Sequence, residues 1–179
     1  MIGGSSAITA TVQSVSAADS AVRKKLLVTK NVLLVEDNED DVFFLQRAWK
    51  DVGVPNPLQV VRDGQQAVDY LAGLGKYSDR ETYKLPCLVL LDWKLPYMMG
   101  PEVLRWLRKH PTLRPLPVLV FSSSSKASDI DMAYGLGCNA YLEKPTDAHK
   151  LVDLVKLIQA FWLAAIRFPQ KQVWLTGGG

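Results

Sequence analysis

A few residues able to do chemistry stand at equivalent places in this chain, each just beyond a short apolar run. Glu36 and Asp37 follow Val32–Val35, and Asp92 follows Cys87–Leu91. Ser122 and Ser123 follow Val118–Phe121, and Lys144 comes two residues after Ala140–Leu142. Three carboxylates gathered at one place repel one another and resist ionisation unless a cation compensates. An all-oxygen donor set without imidazole or thiolate suits a hard divalent ion, and a few carboxylates completed by waters suit Mg²⁺ best. A serine hydroxyl and a lysine ammonium facing the same cavity are the donors that would hold phosphate oxygens. Together they make a phosphoryl-transfer site, with a carboxylate nucleophile, a metal and two donors. Taken singly, each piece has an ordinary reading as a helix start, a turn residue, a surface lysine or a polar loop. Their joint placement carries the argument.

That placement depends on the elements between them. Val32–Val35 is short, continuously apolar and ends in acids, which predicts a fully buried strand. Asn38 reads as the N-cap of the next helix, with Glu39, Asp40 and Asp41 in its first turn, where the helix dipole favours negative charge. Gly53, Pro55 and Pro57 stop that helix. The pattern then recurs: a strand at Leu58–Val61, a helix from Gly64 to about Leu74, and a polar loop from Gly75 to Lys84. The next strand ends at Asp92, and a helix from Glu102 to His110 is closed by Pro111. A strand at Val118–Phe121, a short helix from Ile130 to Leu136 and a strand at Ala140–Leu142 follow. Asp147 then caps a last helix running to about Ile166. Five strands alternating with five helices predict an α/β protein, a doubly wound five-stranded parallel sheet covered on both faces. Ligands of such folds sit beyond the carboxyl ends of the strands, where these residues are.

The chain has 179 residues and a net charge of +3. Residues 1–30 hold Arg23, Lys24, Lys25 and Lys30 against Asp19 alone, so the remaining 17 basic and 17 acidic residues balance. A neutral body argues against nucleic-acid binding, which normally shows a basic face. Residues 1–22 are small and polar and have too little apolar surface to offset their ordering entropy, so a flexible extension over 1–29 is expected. Only two cysteines, Cys87 and Cys138, leave no disulfide framework and no thiolate metal cluster, consistent with buried thiols in a reducing compartment. No apolar run approaches the ~20 residues that cross a bilayer, and no secretory signal opens the chain. A cytoplasmic location is expected.

The segments Val35-Glu36-Asp37-Asn38, Leu90-Leu91-Asp92-Trp93-Lys94-Leu95-Pro96, Val120-Phe121-Ser122-Ser123 and Tyr141-Leu142-Glu143-Lys144-Pro145 resemble, in order and spacing, the response regulator receiver domains of two-component signalling. The resemblance covers about residues 30–160. It implies a flavodoxin-like (βα)5 fold of three layers, with Asp92 accepting phosphate from a histidine kinase. It further implies that Glu36, Asp37, Asp92 and the backbone carbonyl of Lys94 hold Mg²⁺. Ser122 would be the switch hydroxyl, Tyr141 the switch aromatic and Lys144 the phosphate-binding lysine, preceding a cis Lys144–Pro145 peptide. The long crossover from Leu71 to Pro86 and the sequence Phe161-Trp162-Leu163 look like the single-domain regulators that partner phytochrome-type kinases. Met99 and Lys94 depart from that pattern, the first replacing a common Asp and the second a commonly neutral residue. No glycine-rich phosphate loop follows the first strand, and no second aspartate stands two places after Asp92. Both features argue against a flavin protein or a hydrolase of related fold.

The last predicted helix is apolar on more than one side. Leu151, Leu154, Val155, Ile158, Phe161, Trp162 and Ala165 mark a core stripe. Val152, Leu157, Leu163 and Ile166 lie off it, an arrangement that suits a covered interface. The expected organisation is an extension over 1–29, a receiver unit over 30–166 and a tail over 167–179. A symmetric homodimer through the last helix is expected, with output by binding an unknown downstream protein.

Overall fold

The computed structural model describes residues 30–165. The expected flexible extension at 1–29 and the tail at 167–179 lie outside those residues, as does Ile166. Four strands are four residues long and the other five, all parallel: β1 (Val32–Val35), β2 (Leu58–Val61), β3 (Leu88–Leu91), β4 (Val118–Ser122) and β5 (Ala140–Glu143). They alternate with α1 (Glu39–Val52), α2 (Gly64–Ala72), α3 (Gly100–Lys109), α4 (Ala127–Gly135) and α5 (Ala148–Ile158). The sheet order β2-β1-β3-β4-β5 puts β1 and β3 side by side at its centre. Val35 pairs with Leu91, so Glu36 and Asp92 leave the sheet at the same level.

The alternation of β1 explains the three layers. Val32 and Leu34 pack with α1 and α5 on one face, through Val42, Leu45, Trp49, Leu151 and Val155. Leu33 and Val35 pack with α2, α3 and α4 on the other, through Ala67, Leu71, Leu104, Leu107 and Ala133. Both faces are dry, which is why β1 and β3 read as unbroken apolar runs. Asn38 caps α1 as expected, its Oδ1 accepting from the N–H groups of Asp40 and Asp41 at 2.9 and 3.1 Å.

Beyond shifts of up to three residues at element ends, as where the helix expected from Ile130 begins at Ala127, the structure departs from the sequence reading in three places. The expected loop over Gly75–Lys84 opens with a short 3-10 helix, Gly75–Tyr77, and the remaining loop is packed by its own side chains. Tyr77 is buried and meets Tyr70 and Tyr83 at ring-centroid distances of 5.2 and 5.1 Å. Arg80 donates to the Tyr70 and Leu71 carbonyls at 2.7 Å each, adding to the Gly73 N–H already on Tyr70 and reinforcing the end of α2. Arg80→Ala should therefore lower stability by roughly 1–2 kcal/mol, read as a lower urea midpoint with an unchanged m-value.

The final helix is the second correction. It is α-helical only to Ile158, then continues as a π-helix from Gln159 to Ala165. A wider turn, with i→i+5 hydrogen bonds, shifts the phase of the apolar stripe. Leu163, five residues after Ile158, is therefore buried at 4 % exposure, whereas Phe161, expected on the core stripe, is 59 % exposed. A strict 3.6-residue period carried through the sequence assigns both residues to the wrong side.

The third is the Lys144–Pro145 peptide, expected to be cis. All peptide bonds among the described residues are trans. Trans is the lower-energy isomer of an X–Pro bond by about 0.5–1 kcal/mol, and the neighbouring ladder is already complete here, with the Lys144 N–H donating to the Ser122 carbonyl at 2.8 Å.

Candidate phosphoacceptor site and its family

The carboxyl ends of β1 and β3 bring Glu36, Asp37 and Asp92 together, with one oxygen of each lying within 4.8 Å of the others. Glu36 is 1 % exposed and Asp92 6 %, while Asp37 faces solvent. From β5, Lys144 reaches over this cluster. Its Nζ lies 2.6 Å from Glu36 Oε2, 2.8 Å from Asp41 Oδ2 and 3.5 Å from Asp92 Oδ1. One ammonium thus contacts three carboxylates, with Asp37 a fourth nearby, and the cluster carries excess negative charge.

Burial and that excess act on each group in turn. Burial pushes the Glu36 carboxyl up from 4.5 to about 7, against the pull of Lys144. Burial also raises Asp92, opposed by the charge of Lys144 and by the N–H groups of Trp93 and Lys94. For Lys144, burial alone would lower the pKa, but hydrogen bonds to Asp41 and Glu36 and the charge on Asp92 outweigh it and the net shift is upward. Acids and lysine thus shift in the same sense from different causes: burial raises the two acids, and the acids around it raise the lysine. An all-oxygen cluster with negative charge in excess has the chemistry that a hard divalent cation satisfies, so the residues present fit such an ion.

Ser122 closes β4, is fully buried, and its Oγ accepts from the Ser124 N–H at 3.2 Å. Its carbonyl receives the Lys144 N–H, so hydroxyl and lysine are tied to neighbouring strands at one sheet edge. Tyr141 is half-buried on β5. Its hydroxyl donates to the Ser124 carbonyl at 2.8 Å, and its ring meets Trp93 edge-on at 6.5 Å. The Lys94 side chain is exposed two residues beyond Asp92.

Gly100 explains the close approach of α3. A Cβ there would stand 2.5 Å from the Asp92 carbonyl oxygen and 2.9 Å from Trp93 Cα. Met99, the departure from the subfamily pattern, is the N-cap of α3; its N–H donates to Glu102 Oε2 at 2.8 Å and its side chain offers no cap. The substitution therefore bears on a helix end.

Two residues of the site have no distinct signal in the sequence. In the sequence the helix dipole alone accounts for Asp41, yet it is a direct partner of Lys144, 103 residues away. Its five-residue spacing from Glu36 on a helix start is the only local signal, and it is a weak one. Ser124 is the hub of the β4–α4 loop, its Oγ donating to Asp129 Oδ2 at 2.5 Å while its N–H and carbonyl serve Ser122 and Tyr141.

Residues 32–156 match the model of the response regulator receiver domain family. The response regulator Rcp1 of Synechocystis sp. is 35 % identical over 140 residues, covering 78 % of this chain and 93 % of that protein. The crystal structure of the phosphorylated cyanobacterial phytochrome response regulator RcpA aligns with a TM-score of 0.73 at 38 % identity, covering 79 % of this chain and 99 % of that one. The Mn²⁺-bound form of Rcp1 aligns with a TM-score of 0.70 at 35 % identity, over 78 % of this chain and 99 % of that one. No helix among the described residues is long and apolar enough to cross a membrane. Fold, acidic cluster and these likenesses agree: the chain belongs to the response regulator receiver domains of two-component signalling.

Proposed function

We propose that this protein is a phospho-switch that accepts a phosphoryl group from a histidine kinase onto Asp92 and signals by altered protein–protein contacts. The observation that carries the reading is the Glu36–Asp37–Asp92 cluster with Lys144 lying over it. An Asp92 oxygen attacks the phosphorus of a phosphohistidine, the P–N bond breaks, and the imidazole leaves with the electron pair. Glu36, Asp37, Asp92 and the Lys94 carbonyl would hold Mg²⁺, which neutralises charge developing on the transferred oxygens. Lys144 offers its ammonium to one phosphoryl oxygen. Ser122, whose Oγ accepts from Ser124 and leaves its own proton free, donates to another. The protein acts on no other substrate; it promotes its own phosphorylation and dephosphorylation. Likeness to the phytochrome regulators Rcp1 and RcpA supports a phytochrome-type kinase as donor. Two buried free cysteines suit work in the cytoplasm. The test is treatment with acetyl phosphate and Mg²⁺, read by intact mass. A gain of one phosphoryl group that EDTA abolishes is expected, and no gain refutes the reading.

The switch reaches outward through Tyr141. Drawing Ser122 and its loop toward a phosphoryl group disturbs the Ser124 hub, on which the Tyr141 hydroxyl rests. The receiver unit, about residues 30–166, ends in α5 and its π-helical continuation, where Leu157 and Phe161 are 67 % and 59 % exposed. We assign that surface to a homodimer whose packing phosphorylation biases by about 1–3 kcal/mol. Analytical ultracentrifugation with and without beryllofluoride should show the shift, and Leu157→Glu should weaken the dimer. A monomer in both states, indifferent to Leu157→Glu, rules the interface out.

A further inference from the structure

We infer that Asp41 is a positioning residue that holds Lys144 back from Asp92 in the unphosphorylated protein and competes with the phosphoryl group for the lysine. The inference rests on the phosphoacceptor reading above and adds a residue to it.

An ammonium has three N–H donors, and here three carboxylates face it. Two contacts have the length of charge-assisted hydrogen bonds, 2.6 Å to Glu36 and 2.8 Å to Asp41; the third, to Asp92, is stretched to 3.5 Å. The lysine head is therefore drawn away from the phosphoacceptor toward α1. Its two close partners differ in what they can release. Glu36 is 1 % exposed and its other oxygen is fixed by the Asn38 N–H at 3.2 Å, so it keeps the lysine whatever happens at Asp92. The Asp41 side chain is 39 % exposed and borders a cavity of about 160 Å³ that Phe44, Phe121 and Pro145 also line. Water can take the place of the lysine there. Asp41 also lies outside the trio of acids close enough to share a metal ion. When Asp92 gains phosphoryl oxygens, the Asp41–Lys144 contact is the one that gives way.

The consequence is a resting bias against the phosphorylated form, set by one partly exposed ion pair. A pair of that kind is worth up to about a fivefold change in an equilibrium constant. Removing Asp41 also removes a negative charge from the mouth of the site, which would favour any anion; the lysine must therefore be shown to mediate the effect.

The experiment is titration of beryllofluoride, an acyl-phosphate mimic, into the full chain in Mg²⁺, followed by the fluorescence of buried Trp93. Asp41→Ala should bind about fivefold tighter than wild type, and Asp41→Asn, which keeps an acceptor oxygen and preserves the helix start, should lie between them. In a Lys144→Ala background the Asp41→Ala substitution should give a clearly smaller gain, the part due to the lost charge alone. Equal or weaker binding by both Asp41 variants overturns the inference. The same gain with and without Lys144 also overturns it, leaving a plain field effect. A wild-type protein that gives no response to beryllofluoride would instead sink the phosphoacceptor reading itself.

Discussion

Asp92→Asn should take up no phosphoryl group from acetyl phosphate, and in EDTA it should melt at a higher temperature than the wild type. The first half follows from chemistry, because the amide of Asn is no nucleophile and the protein offers no second carboxylate in the same place. Glu36 is buried beneath Lys144 with both oxygens engaged, and Asp37 stands in solvent at the rim. The second half follows from electrostatics. Asp92 is 6 % exposed and its carboxyl is shifted upward by burial, so at neutral pH its charge is held against the preference of its surroundings. A neutral isostere removes that penalty. Lys144 loses little, since its Asp92 contact is the long one and its bonds to Glu36 and Asp41 remain. Phosphate-affinity electrophoresis and calorimetry on one pair of proteins check both halves. A variant that still shifts on the gel has its acceptor elsewhere. One that fails to shift and melts lower has Asp92 acting as a structural ion-pair partner.

This opposition between stability and chemistry is what made the site legible from sequence. Three acids that follow buried strands have no structural reason to sit there, so Glu36, Asp37 and Asp92 stood out as residues awaiting a cation. The fold was legible from its patterning, since β1 and β3 are unbroken apolar runs, β4 is apolar up to its closing Ser122, and Asn38 and Asp147 cap their helices through their own side chains. What escaped notice depended on contacts between distant parts of the chain. Asp41 meets Lys144 across 103 residues, and Arg80 serves the end of α2 from within a stretch of polar composition. The phase of the last helix escaped for a different reason. A π-helix has the composition of an α-helix, and only its hydrogen-bond period moves Leu163 inward and Phe161 outward.

Without metal, stability should fall as pH rises from about 4.5 to 7, by up to about 3 kcal/mol, and Mg²⁺ should flatten that fall. Glu36 carries most of the effect. Its carboxyl is raised from 4.5 to about 7, so between those values the folded protein binds a proton that the unfolded chain has released. Stability therefore declines across that interval, by about 1.36 kcal/mol for each step of one in pH. Other groups around the site and at helix ends leave the sign intact. Asp92 is raised as well and adds in the same sense, beginning from 3.8. Lys144 is raised above 10.5, so its contribution is fully present across the interval and is lost only in strong base. Asp79 and Asp147 are lowered and act oppositely, but only below 3.8. A divalent ion binds the ionised acids, so the stability it confers grows as Glu36 gives up its proton and opposes the decline. Urea unfolding at several pH values, in EDTA and in Mg²⁺, measures both slopes. Glu36→Gln, which cannot titrate, should remove most of the metal-free slope. If the slope survives that substitution, the proton is held elsewhere in the cluster and Glu36 is already ionised at neutral pH.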